Sequence, residues 1–397
     1  MKQPNPSPVH CRQQEKSQFP GMKLTLLLLT SLFYLNFLSR IIISPLLPHL
    51  EQTLGISHGQ AGSLFLCLSA GYFISLPGSG FISSVISHQR TITLSSLGIA
   101  TTLLLMSMAV NLGQLQTGHL FLGLAAGIYL PSAIATITTS FANRHWGRAL
   151  AVHELAPNLA FLSAPFIVSS LLAASSWQTI FFVLGILSLL VSLTYALCSR
   201  KERSYGTPPT LSHCNPLFRL PAFWMMILIF SVGIMSTLGI YNLLPLFLVS
   251  EHGMTEQAAN SLVGFSRIPT LVTALMGGYL TDRFGSRVTM GRMLFFSGMV
   301  TILLGFSQQW ISLWVVLQPL LAVCFFPAAF ATLASLGPPE SRNVVVSLTV
   351  PLAFFIGGGA LPAAIGFAAD FGWFGEGIAA AGLLMIGGAL LVKFTRV

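Results

Sequence analysis

The sequence predicts an all-α membrane protein of twelve transmembrane helices in two pseudo-symmetric sets of six, and three observations carry that reading. Of 397 residues, 54% are hydrophobic and 7% charged, where a water-soluble globule carries about a quarter charged residues. Apolar runs of about 20 residues, the length a helix needs to cross a hydrocarbon core of roughly 30 Å, recur from Met22 to the C-terminus. A series of short marks then repeats at a half-chain offset.

The spans read as 23–50, 59–83, 91–111, 117–139, 148–173 and 176–198, then 220–249, 257–281, 288–306, 310–334, 343–369 and 373–394. Residues 1–22 are polar, with prolines at 5, 8 and 20, and read as a disordered tail. Leu24 to Leu38 behind Lys23 has the look of a secretory h-region, but eleven further spans and the lack of a small-residue cleavage site favour an uncleaved first helix. The polar stretch 199–219 separates a first bundle, 23–198, from a second, 220–397.

Lysine and arginine positions orient the chain. Seventeen of the 19 fall in the tail and in one alternate set of loops, while the opposite loops carry Glu51, Glu251, Glu256, Asp370 and Glu376 and no cation. Both termini are therefore expected on the cytoplasmic side of the plasma (inner) membrane. The formal charge of +9 is a topology signal, so nucleic acid is not an expected partner; the lipid bilayer is.

Leu47-Pro48, Gly55, Gln60-Ala61 and Gly80 recur as Leu244-Pro245, Gly253, Gln257-Ala258 and Gly278, offset by 197 or 198 at each step. In both copies a helix is expected to end at Leu-Pro, a short loop turns on glycine, and the next helix opens near a capping hydroxyl, Ser57 or Thr255. Ordered matches of this kind indicate duplicated halves.

Between spans 8 and 9 stands Gly278-Tyr-Leu-Thr-Asp282-Arg283-Phe-Gly285-Ser-Arg287. It resembles the G-x-x-x-D-R-x-G-x-R loop of major facilitator superfamily transporters. The resemblance covers nearly the whole chain after the tail and implies two six-helix bundles around a central cavity that opens alternately to either side, in a protein that works as a monomer. The first-half copy, from Gly80, has Ser84 and Val85 where the family has Asp and Arg; His119 stands where span 4 often has Arg, before Gly123 and Gly127; and the family's G-P in span 5 is Ala164-Pro165. Span 11 keeps a glycine-rich bend, Gly357 to Pro362. On physical grounds Asp282 can meet a helix N-terminus or Arg148 across the halves, which makes Gly278, Asp282, Arg283, Gly285, Arg287 and Arg148 a candidate latch for one end state, or else a static loop contact.

The two cations outside the loops are Arg40 in span 1 and Arg267 in span 8. A guanidinium inside the bilayer costs at least about 2.5 kcal/mol and faces a wet cavity or a partner. One from each half makes a site suited to a carboxylate, phosphate or other oxyanion, since arginine stays charged and grips such groups bidentately. The competing reading is that each satisfies backbone carbonyls or a buried acid. The resemblance bears on this too: Arg267 is similar in placement to an arginine of nitrate/nitrite porters and Arg40 to one of organophosphate antiporters, and the missing glycine–asparagine signature, apart from Asn158, disfavours nitrate itself. Helical spacing puts Asn36 and Ser44 on the face of Arg40 and Asn260 on that of Arg267; Tyr72, Tyr129, Tyr241 and Asn242 are further candidate substrate ligands within spans.

Glu154 is the one carboxylate well inside a span, beside His153 and one turn before Asn158. It can bind a coupling proton or pair with Arg144 or Arg148 at the cytosolic mouth. The cysteines at 11, 67, 198, 214 and 324 have neither metal-ligand nor disulfide spacing, and HExxH, GxSxG and GxxxxGK[ST] are absent. No cofactor, metal site or catalytic residue is expected, and the protein is not read as an enzyme. The expected partners are a small, anionic organic or inorganic solute and a coupling proton or counter-anion. Rival functions are a proton-coupled exporter of hydrophobic solutes and a non-transporting membrane sensor of the same fold.

Overall fold

The computed structural model describes residues 8–199, 204–206, 218–334 and 342–395. Twelve rods run through the described residues: α1 (Lys23–Leu54), α2 (His58–Ile86), α3 (His88–Met106), α4 (Leu112–Ser140), α5 (Asn143–Leu172), α6 (Trp177–Cys198), α7 (Pro221–Ser250), α8 (residues 256–284), α9 (Ser286–Phe306), α10 (Ile311–Leu333), α11 (Val345–Ala369) and α12 (Phe374–Phe394). Ten are long and apolar enough to cross a membrane by length and composition alone. The others are α3 and α8. In α3 the hydroxyls that dilute its apolar surface are bonded: Thr91 and Ser96 donate one turn back, to Ser87 and Ile92, and Ser95 donates to Ala125 of α4, as lipid requires. The rod α8 is broken into Glu256–Ser266 and Thr270–Phe284.

Two expectations need adjusting: Pro48 and Pro245 stand inside helices that run on to Leu54 and Ser250 instead of ending them, and the tail is not devoid of helix. Helix extends back from α1 to Pro8, over residues 8–22 whose composition reads as a disordered tail. Pro8 is tolerated at the first turn, where its missing N–H would have no partner, and lengthening a formed helix needs no new nucleus; Pro20, inside the helix, is not explained by either. Most of the linker, 200–203 and 207–217, lies outside the described residues, as do residues 1–7 and Arg396.

Five of the rods are interrupted, and each interruption has a proline at its end or just after it. The breaks fall at Ile42, Ile128, Glu154, residues 267–269 and Cys324; Pro45, Pro131, Pro157, Pro269 and Pro327 follow or end them. A proline in a helix removes one i→i−4 bond and pushes its ring against the carbonyl it should have met, so the turn before it opens. Shorter bonds fill in around α8's gap, where Arg267 N donates to Gly264 O at 3.1 Å and Ile268 N to Phe265 O at 3.1 Å. In α7 and α11 the irregularity takes the form of π-turns, Met235–Gly239 and Phe355–Ala360.

The duplication is visible in the backbone. Gly55 and Gly253 end their helices at φ +63° and +61°, a left-handed cap that costs glycine nothing. Ser57 and Thr255 each accept a bond from the residue three on, Gln60 N and Ala258 N. Within each half the rods close through small residues: a side chain at Gly123 of α4 would run into the Leu68 carbonyl of α2, and one at Gly298 of α9 would meet the Gly382 carbonyl of α12 at 2.6 Å.

We call the end at which α1 begins and α12 finishes the basic end and the opposite one the acidic end. The halves are bolted at the acidic end. Asp370, closing α11, accepts from Ser57 Oγ at 2.8 Å and from Gly59 N at 3.2 Å, at the start of α2. His49 lies 3.7 Å from Glu256, Asn260 donates to Pro45 O at 3.2 Å, and Ser44 to Tyr241 O at 2.8 Å. Toward the basic end, beyond the Phe166–Phe265 contact, Leu155 and Leu159 of α5 and Val272 and Leu275 of α8 are exposed.

Candidate functional site

Both intramembrane arginines stand at proline breaks, Arg40 two residues before the opening of α1 and Arg267 at the start of α8's. Both are buried, at 5% and 3% exposure, and among the described residues neither forms an ion pair with a carboxylate. Aromatic rings surround them instead. The Arg40 guanidinium carbon lies 4.6 Å from the centre of the Phe37 ring, 4.9 Å from Tyr72 and 5.6 Å from Phe354; that of Arg267 lies 4.8 Å from Phe161 and 4.7 Å from Tyr241. The two cages touch, since Phe37 meets Phe161 edge-on at 5.0 Å and Phe161 meets Tyr241 at 4.7 Å.

Magnitudes show what the cages accomplish. A desolvated cation gains about 2 kcal/mol over an aromatic face, so two or three rings are of the same order as an insertion cost of at least about 2.5 kcal/mol. The rings offset the burial to that extent and neutralise no charge. The Nε atoms of Arg40 and Arg267 have no hydrogen-bond partner among the described residues, and neither do the amide oxygens of Asn242 and Asn260. A buried polar group left so costs about 1–3 kcal/mol, so the two arginine donors and the Asn242 acceptor stand ready for a ligand or water.

The candidate ligands divide accordingly. Tyr72, Tyr241 and Asn242 gather at the arginines; Asn242 donates to Gly358 O at 3.3 Å and lines, with Arg40, Phe37 and Phe354, a void of ≈ 10 Å³, room for a single water. Asn260 is tied to Pro45 O toward the acidic end and does not line the Arg40 void. Asn36 is turned away, donating to Ala126 O at 3.2 Å, because its position on α1 faces α4. Tyr129 is not among the rings around either arginine: its hydroxyl donates to Leu29 O at 2.7 Å within the first half. Arg267 does not line the Arg40 void, so in this conformation the two arginines occupy adjoining cages with Phe37 and Phe161 between them.

Glu154 sits at the α5 break with its side chain half exposed. Its Oε1 lies 3.5 Å from Nδ1 of His153, a fully buried ring stacked on Phe33 at 4.4 Å and reaching Tyr129 Oη through Nε2 at 3.3 Å. Phe33 in turn meets Phe37 at 6.5 Å, so a chain of rings runs from His153 to Arg40. At the basic end, Gly285 ends α8 at φ +85°, Arg283 donates to Tyr279 Oη at 3.0 Å, and Arg287 donates to the carbonyls of Val392 and Lys393. Among the described residues, Asp282 and Arg148 form no pair with each other. Sequence reasoning missed Phe37, Phe161 and Phe354 as cage walls, while His153, which it placed beside Glu154, does lie against its carboxylate. Only Phe37, one turn before Arg40, was open to detection by helical spacing.

The sequence model of the Major Facilitator Superfamily matches residues 29–267 and 240–397. The chain belongs to the major facilitator superfamily. Its fold matches a bacterial homologue of the human lysosomal transporter Spinster, in an inward-facing and occupied conformation, with a TM-score of 0.79 at 16% identity over 95% of this chain and 97% of that one. A point mutant of the nucleoside transporter NupG gives 0.77 at 15% identity over 94% and 98%. Among sequence relatives, this superfamily member is 26% identical over 260 residues to the probable nitrate transporter NarT of Staphylococcus epidermidis, covering 63% of this chain and 64% of that protein. To the MFS-type transporter YuxJ of Bacillus subtilis it is 23% identical over 271 residues, covering 64% and 68%.

Proposed function

We propose that the protein is a secondary transporter that moves a small anionic solute by alternating access, with the basic end in the cytoplasm. The observation that carries this reading is the pair of buried, acid-free arginines with unpartnered Nε atoms at the junction of the halves. An anion gripped by both would draw the halves together, and its release would let them part; the likeness to a probable nitrate transporter supports an anionic solute. Rotation of Phe37 and Phe161 would merge the two cages into one site. Glu154, half exposed toward the basic end and in reach of His153, is the candidate for a coupling proton.

A thermal-shift screen of the purified protein with carboxylates, phosphates, inorganic oxyanions including nitrate, neutral solutes and lipophilic cations tests the proposal. A ligand at a hundred times its dissociation constant adds about 2.7 kcal/mol. Stabilisation by an anion, lost in Arg40→Ala and Arg267→Ala, is expected, with flux of that anion in vesicles. Stabilisation by lipophilic cations alone, unchanged in the variants, overturns it in favour of a hydrophobic-solute exporter, which the phenylalanine walls would also suit. Binding without flux would indicate a sensor.

A further inference from the structure

Between α9 and α12, at the basic end, a groove of ≈ 620 Å³ opens on the outer surface of the second half. That volume lies within the roughly 300–1,000 Å³ of small-molecule sites. Its rim carries Arg287, Arg292 and Lys393, its walls include Val288, Phe295 and Leu390, and no carboxylate lines it. Arg287 is held in place by its bonds to the carbonyls of Val392 and Lys393. The Arg292 guanidinium lies 5.8 Å from the Phe284 ring, whose centre is 5.6 Å from that of Arg283, so the positive rim continues around the α8–α9 turn. The floor is shallow-sided at Gly291, where an added Cβ would meet Val392 at 3.6 Å and nothing closer.

We infer that this groove binds one anionic phospholipid, its phosphate on Arg287, Arg292 and Lys393 and an acyl chain lying along Val288, Phe295 and Leu390. The chemistry is complementary at both ends. Three cations at the mouth of an apolar channel match a phosphodiester above a hydrocarbon tail, and basic pockets between helix ends are where anionic headgroups settle. A second lipid-facing groove, between α3 and α4, is larger at ≈ 970 Å³ but has no charged residue in its lining; it serves as the internal contrast. The bound lipid would tie α9 to α12 beside the α8–α9 turn, the segment whose geometry must change if the basic end closes.

The test measures the melting temperature of the full-length protein in detergent against added dioleoylphosphatidylglycerol, dioleoylphosphatidylcholine or glycerol phosphate. Phosphatidylglycerol is expected to stabilise the protein saturably and phosphatidylcholine not to. Each of Arg292→Gln and Lys393→Gln should raise the half-maximal concentration about fivefold. Gly291→Leu should fill the channel and abolish the effect with every charge in place, while Arg90→Gln, on the other half, leaves it unchanged. Equal stabilisation by phosphatidylcholine, or a phosphatidylglycerol response unchanged in both charge variants, overturns the inference. So does full stabilisation by glycerol phosphate, which would make this a soluble-phosphate site. If Gly291→Leu fails to fold, the charge variants still decide.

Discussion

Asp370 is the residue on which the closed acidic end most visibly depends, and Asp370→Asn is the substitution that tests it. Its carboxylate crosses from α11 to the N-terminus of α2, taking one bond from Ser57 Oγ and another from Gly59 N, and its charge opposes the positive end of that helix. Asparagine keeps the shape and one acceptor oxygen. It loses the charge, worth about 0.3–1 kcal/mol at an exposed helix end, and weakens bonds that owe part of their strength to that charge. Because Asp370 is exposed, a total of about 1–2 kcal/mol is the reasonable expectation. That shifts the balance between closed and open acidic ends roughly 5- to 30-fold toward open. Spin labels at Gln52 and Gln257, exposed residues on opposite halves at this end, report it as a longer component in the distance distribution. Gly59→Ala should shift it further, since its methyl would overlap Phe367 and the Asp370 carboxylate. Unchanged distributions in both variants would refute the assignment of this contact as the bolt.

Other outcomes follow from the same geometry. Arg267→Lys keeps the charge but gives up the planar fork, and should weaken anion-induced stabilisation at least about tenfold, read as the concentration giving half the thermal shift. Glu154→Gln should lose uptake driven by a proton gradient while retaining exchange of the anion across proteoliposomes; loss of both would place Glu154 in the binding step. Asp282→Asn should leave the conformation described here intact, where Asp282 and Arg148 are apart, and depopulate the state with a closed basic end, measured with labels at that mouth. Ser87, the first-half counterpart of Gly285, holds φ at +77°, a region that glycine alone enters freely; Ser87→Gly should raise stability by about 1 kcal/mol in a reversible unfolding assay.

Much of the fold was legible because lipid imposes few rules and strict ones. Every backbone group must bond within its own helix, so length and apolarity locate the rods. The half-chain repeat of Leu-Pro, Gly and a capping hydroxyl could be read because each mark is a local necessity: a left-handed cap at Gly55 and Gly253, an N-cap at Ser57 and Thr255. Arg40 and Arg267 announced themselves by cost. What surrounds them could not be read, because Phe161 reaches Arg267 from another half and Phe354 reaches Arg40 across the same junction; phenylalanine is common in every span, and helical spacing reports neighbours on one helix only. Tyr129 and Asn36 looked like ligands for the opposite reason. A polar group inside a span has to be satisfied by something, and here the partner is a carbonyl of the same half.

The prolines were the unread signal nearest to function. Arg40, Glu154 and Arg267 each lie within five residues before a proline, and each of those prolines opens its helix. An unbroken helix holds a long side chain against its own preceding turn; an opened turn frees carbonyls that a cation or a proton-bearing group can approach. It also makes a joint, because the missing bond lowers the resistance of the rod to bending. If the charged residues were placed for packing alone, their coincidence with the joints would have no mechanical consequence. If they bind the solute and the proton, occupancy at Arg40, Arg267 or Glu154 acts on the points where α1, α5 and α8 bend. Replacing Pro269 with alanine separates the two. Restoring the bond to the Phe265 carbonyl should straighten α8 and stabilise the protein, while Arg267, still in place, should bind the anion and no longer couple binding to movement. Anion-induced thermal stabilisation with flux reduced at least about tenfold is the expected result, and flux at the original rate with a straightened α8 would show that the joint has no part in transport.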